Sequence, residues 1–149
     1  MKAKPAFFKL FLPRYFLKAG QDSQGNHPRH WKQVFISPFA SPDDSTVPAL
    51  KLFEKVPGVR IVTQTTQKAL LITAKIETIH GPINYRQRAL ADHGSIEWTV
   101  PYHQVEAGGI RFDGNYRIEK EDGTFLKKVP TILESDVLNG NQVDLGNLP

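Results

Sequence analysis

Five histidines, His27, His30, His80, His93 and His103, are the side chains best suited to hold a metal or move a proton near neutral pH. No two stand at the i, i+4 spacing of a helical metal site, and His27 and His30 fall in a polar tract that reads as a loop. A metal site would need imidazoles and a carboxylate gathered by the fold, whereas the spacing alone predicts turn and rim histidines in water. The acids Asp43 and Asp44, and Glu119, Glu121 and Asp122, also fall at turns, which predicts solvated carboxylates and not a desolvated general-acid pair. The chain has neither a Gly-x-Ser-x-Gly elbow, nor a phosphate-binding glycine loop, nor a dinucleotide fingerprint. With no cysteine there is no disulfide, thiolate zinc site or thiol nucleophile. These residues therefore predict no catalytic group, no cofactor and no metal.

The remaining chemistry is charge. Residues 1–36 carry Lys2, Lys4, Lys9, Arg14, Lys18, Arg29 and Lys32 against the single acid Asp22, a net of +6 within a formal total of +4. A segment of this kind can contact phosphate-rich partners or anionic lipid heads, so these seven side chains form the candidate interaction surface. Aromatics alternate with them between Phe7 and Lys32, a pattern that also suits single-stranded nucleic acid, although a strand buried on one side explains it equally well. Arg86 and Arg88 share one strand face, and cross-strand pairing with Glu97 is the expectation for them.

The elements that must position these groups are short strands. Ala91 to Tyr102 is the stretch around which they are arranged. Asp92, His93 and Gly94 make a turn; Ile96, Trp98 and Val100 then alternate with Ser95, Glu97 and Thr99, a period of two with one wet side, and Pro101 ends the run. The predicted core is Trp98 with Ile96, Val100, Ile72, Ile76 and Tyr116. Leu70 to Ile79 alternates as clearly, Gly81-Pro82 closes it, and Asn84 to Leu90 returns as its hairpin partner. Further strands are expected over Phe7–Phe11, Trp31–Ser37, Val47–Val56, Val59–Thr63, Asn115–Lys120, Thr124–Val129 and Gln142–Leu145. A helical turn docked on the body is expected at Tyr15–Leu17, a turn at Asp43–Ser45 and a loop at Glu106–Gly109. Leu133–Gly140 reads as one helical turn capped by Ser135 and stopped at Gly140. Gly123 to Pro130 repeats the plan of Gly94 to Pro101, which suggests twin hairpin returns.

The 149 residues suit one core, with about 68–70% of the unfolded chain's surface buried on folding. The fold class is all-β: an antiparallel β-sandwich, immunoglobulin-like or prealbumin-like, or an open barrel with little helix. Residues 1–46 read as a basic N-terminal segment with a loop insertion, packed on a sandwich formed by residues 47–149. No run approaches the roughly 20 apolar residues that cross a bilayer, and Ala6–Leu12 lacks the features of a signal peptide.

Several stretches together resemble the C-terminal extracytoplasmic part of archaeal oligosaccharyltransferases. They are Phe7–Leu12 with His30–Pro38, then Val47–Val62 (V-P-A-L-K-L-F-E-K-V-P-G-V-R-I-V), Tyr85–Tyr102, Tyr116–Ile118 and Glu134–Val143. The Asp-x-Gly and Val-Pro pattern is also similar to prealbumin-like and carboxypeptidase-regulatory-like domains. The family's catalytic Trp-Trp-Asp-Tyr-Gly, its acidic metal loops and its membrane helices are not in this sequence, so no catalytic residue carries over. What the resemblance implies is a non-catalytic peripheral module, extracytoplasmic and near a membrane surface, whose partner is a protein or the parent membrane enzyme. The other expectations are a free-standing assembly subunit that associates through sheet edges and its basic arm, or nucleic-acid binding by residues 1–36.

Overall fold

The computed structural model describes residues 21–39 and 50–149. The expectations for Phe7–Phe11, Tyr15–Leu17 and Asp43–Ser45 lie outside those residues. Eleven strands and one short helix are formed among the described residues. β1 (Trp31–Ile36) pairs antiparallel with β2 (Lys51–Lys55) as a separate two-stranded sheet. β3 (Val59–Thr65) lies between β6 (Ser95–Val100) and β11 (Gln142–Leu148). The third sheet is built on β4 (Ala69–Thr78), whose one edge carries β5 (Gly81–Leu90) over ten residue pairs. The other edge of β4 is shared: β9 (Arg117–Glu119) covers Leu71–Thr73 and β8 (Ile110–Phe112) covers Glu77–Thr78. β7 (Val105–Ala107) flanks β8, and β10 (Phe125–Lys128) flanks β9.

The alternation read from the sequence becomes the core. Leu70, Ile72, Ala74 and Ile76 of β4 are buried, as are Val59 and Ile61 of β3 and Ile96, Trp98 and Val100 of β6, and all belong to one apolar cluster. Trp98 is 1% exposed and stands opposite Ile61 in the β3–β6 register. Tyr116 and Ile118 close the same core from the β9 side. The result is an all-β sandwich of antiparallel sheets, with one exception: β11 runs parallel to β3. The chain can return in that sense because α1 (Glu134–Asn139) stands before β11 and seats Val137 in the core.

Three local expectations are corrected. Glu106–Gly109 is not simply a loop: β7 and β8 form a hairpin turning on Gly108 and Gly109, both at positive φ. Glycine is required at 108 because a Cβ there would collide with the carbonyl oxygen of Val34. The helix begins after Leu133, whose N–H is accepted by the Asp136 carboxylate at 2.9 Å, so Ser135 is not its cap, while Gly140 stops it in the left-handed conformation as expected. β6 is not a hairpin return on β5, since the turn at Asp92–Gly94 carries the chain from one sheet to the other.

Candidate functional site

Lys2, Lys4, Lys9, Arg14 and Lys18 of the basic segment lie outside the described residues. Arg29 is exposed, but Lys32 is inside the protein at 4% exposure, which removes it from any surface patch. Its ammonium lies 2.6 Å from His103 Nε2 and 3.5 Å from Glu54 Oε2. His103 Nδ1 donates to the Gln104 carbonyl at 2.7 Å, which leaves Nε2 bare to accept from the lysine. A buried ammonium persists only when paired and hydrogen-bonded, and here a neutral imidazole and one half-exposed carboxylate do both. Neighbouring Gln33 donates its backbone N–H to the Tyr102 hydroxyl at 2.9 Å, while its buried side-chain amide has no partner among the described residues. Around these groups lies a pocket of about 230 Å³, walled by Val105, Ala107 and Ile110, with Glu54 and Glu134 supplying carboxylates. Two carboxylates beside one already paired cation give it no preference for anions, and its polar groups chiefly fasten β1 to the segment that follows β6.

A tyrosine cluster performs the same task. Tyr116 Oη donates to the Tyr102 carbonyl at 2.8 Å and accepts the Tyr102 N–H at 3.0 Å, bridging one backbone residue twice. Tyr85 packs edge-on against both rings and donates its hydroxyl to the Pro28 carbonyl at 3.1 Å. Burial pushes all three phenols up, Tyr102 to about 12, so they remain neutral throughout the physiological range.

The histidines are not uniformly solvated. His27 and His103 are buried, the first stacked on Tyr85 with ring centroids 5.2 Å apart. His30, His80 and His93 are the exposed rim and turn histidines that the spacing predicts, although His30 Nδ1 donates to the Pro57 carbonyl at 2.9 Å, His80 Nε2 to the Ser37 carbonyl at 2.6 Å, and His93 sits beside Asp92. Among the described residues no three His, Asp or Glu side chains gather as a metal site. Glu97 pairs with Arg60 in a two-bond contact, so the expected Arg86 and Arg88 pairing with it does not form. Arg88 instead meets Glu121, and Arg86 Nη1 donates to the Gln24 carbonyl at 3.1 Å. Glu97 sits opposite Val62 on β3, two residues from Arg60 and so on the same face, whereas β5 belongs to the other sheet. A second, open groove of about 430 Å³ runs between the β4–β5 turn and the β7–β8 hairpin, lined by Glu77, Ile79, Glu106 and Arg111.

No known family profile matches the sequence, and no curated protein matches it. Solved structures do match by shape. The oligosaccharyltransferase of Archaeoglobus fulgidus with zinc and sulfate superimposes with a TM-score of 0.69 at 15% identity, covering 94% of this chain and 24% of that one. Its apo form gives 0.71 at 14% identity over 94% of this chain and 22% of that one. The archaeal enzyme AglB of the same organism, in complex with an inhibitory peptide and a dolichol-phosphate, gives 0.73 at 14% identity over 98% and 23%. This chain spans about a quarter of the length of those enzymes, and across nearly all of its own length it shares the fold of that part of an archaeal oligosaccharyltransferase.

Proposed function

We propose that this chain acts as a non-catalytic contact module of an oligosaccharyltransferase-like assembly, on the outer face of a membrane. The observation that carries this reading is the extent of the fold likeness: 94–98% of this chain against less than a quarter of an enzyme whose structures hold a peptide and a lipid phosphate. Its polar interior supports it too. The Lys32–His103–Glu54 group and the three tyrosines join segments distant in sequence, so their hydrogen bonds are spent on holding shape. What the described outside offers a partner is exposed Arg29 and the open groove beside Ile79, and we assign Lys2, Lys4, Lys9, Arg14 and Lys18 to the same contact role.

The test is recovery of the natural gene product under mild detergent, followed by its mass, its cross-links and its ability to support glycan transfer to a sequon peptide. The reading expects a membrane fraction, with cross-links to membrane-embedded glycan-transfer machinery, whether on the same polypeptide or another. Recovery as a free particle made only of copies of this chain would overturn it in favour of an assembly subunit. β11 favours that second reading, because it is an outer strand whose one strand partner among the described residues is β3.

A further inference from the structure

The segment before β1 does something its polar composition does not announce. It lies along the outer edge of β5, the edge turned away from β4. Arg86 donates its backbone N–H to His27 Nδ1 at 3.1 Å, and its carbonyl accepts the His27 N–H at 2.8 Å. Two residues on, Arg88 donates its N–H to Asn26 Oδ1 at 2.9 Å. Pro82, on the same side of the strand, has no N–H to offer. The segment is itself folded for this task, because the Asp22 carboxylate accepts the N–H groups of Gln24 and Asn26, and Gly25 turns at φ +82°. An open sheet edge is a template for another strand, and two of its outward donors are here satisfied by side chains of the chain's own loop.

The contact at His27 works in one protonation state. Nδ1 accepts from a backbone donor, so it must be bare. An imidazolium would set two N–H groups against each other at 3.1 Å and place a charge on a buried ring stacked on Tyr85. His30, three residues along, is its opposite: its Nδ1 faces two carbonyls and donates, a contact that protonation leaves intact. We infer that residues 21–28 are an acid-released cover over the outer edge of β5, with His27 as the trigger.

The groups around the ring fix the direction. Burial lowers the affinity of His27 for a proton, against the opposing pull of the Arg86 carbonyl and the Asp22 carboxylate; the Arg86 guanidinium adds to the lowering. On β5, Tyr85 is a neutral phenol and Arg88 is engaged by Glu121. A histidine whose folded affinity is depressed stabilises the closed form at neutral pH. That contribution starts to fall as pH drops past about 6.5 and is gone below the folded value. Release then leaves the Arg86 and Arg88 amides open to solvent or to an incoming strand, whichever reading of the function holds.

The experiment is residue-resolved amide exchange on the whole chain between pH 7.5 and 5.0, corrected for intrinsic rates, in the wild type and in His27→Asn. Asparagine keeps an acceptor near the Nδ1 position and cannot titrate. The wild type is expected to lose protection at Arg86 and Arg88 by about tenfold or more on acidification, while Ile61 stays protected and His27→Asn shows no loss. Protection that does not vary with pH, or that falls equally in His27→Asn, overturns the inference. If the variant fails to fold, the ring nitrogen shifts of wild-type His27 decide: a bare Nδ1 at pH 7.5, with a titration midpoint matching the loss of Arg86 protection, supports it. A protonated Nδ1 at pH 7.5, or a midpoint unrelated to that loss, overturns it.

Discussion

Gly94–Pro101 and Gly123–Pro130 follow one written plan and meet two fates. Each opens on a glycine at positive φ, +79° and +89°, continues through a hydroxyl residue and an aliphatic or aromatic one, and ends on a fully buried valine before proline. Yet β6 buries every second residue, and β10 lies at the end of its sheet with Phe125 half exposed. The contrast is greatest at the centre of the strand. Four residues after the glycine stands Trp98 in the first segment and Lys127 in the second. The indole goes between the sheets, while the lysine reaches out to the Leu145 carbonyl at 2.9 Å. Turn and stop are thus set by local chemistry, and depth by which side chain falls at the centre of the strand.

The sharpest way to break this comparison is to remove the two aromatic groups. Trp98→Ala should cost roughly 3–5 kcal/mol in urea unfolding, through lost burial and the cavity left behind. Phe125→Ala should cost under about 1 kcal/mol, largely its contact with the Arg117 guanidinium 4.4 Å from the ring centre. Equal losses would mean that the strands are energetically alike after all. The turns, by contrast, should behave as equals. Gly94→Ala and Gly123→Ala each place a side chain at positive φ with no close atom to strike, so each should lose about 1–2 kcal/mol in thermal unfolding. The smallest effect belongs to the outer face of β6. Glu97→Gln should lose about 0.2–1 kcal/mol, shrinking further in high salt, because its pair with Arg60 is half exposed. The Arg60 hydrogen bond holds the Glu97 carboxyl below the ordinary range, so this contribution is present above about pH 4.3 and is lost as pH falls through the depressed folded value.

Those two segments also mark how far the sequence could be read. β4, β5 and β6 were legible because their apolar residues alternate over six to ten positions, long enough for a period of two to stand out. β7 and β8 were not, since three residues cannot show a period. Lys32 looked like one more charge in a basic segment; its partner His103 is 71 residues away, and nothing near either residue signals the other. The parallel pairing of β11 with β3 is likewise a long-range choice without a local mark. Ser135 was the better capping type, but Asp136 stands at the third helical position and reaches back to Leu133. The resemblance to archaeal oligosaccharyltransferases, drawn from scattered stretches, is matched by likeness of fold across nearly the whole chain.

The account turns on the burial of one ring. The Trp98 Nε1–H is enclosed and has no acceptor among the described residues, so its exchange with solvent requires the sheets to part. Exchange of the Trp98 indole proton, followed by NMR in the native protein, tests this most directly. It should be as slow as exchange of the Ile61 and Ile72 backbone amides and should change with them as urea is added. Loss of that proton at the rate of free tryptophan, while those amides stay protected, would contradict a core closed on Trp98.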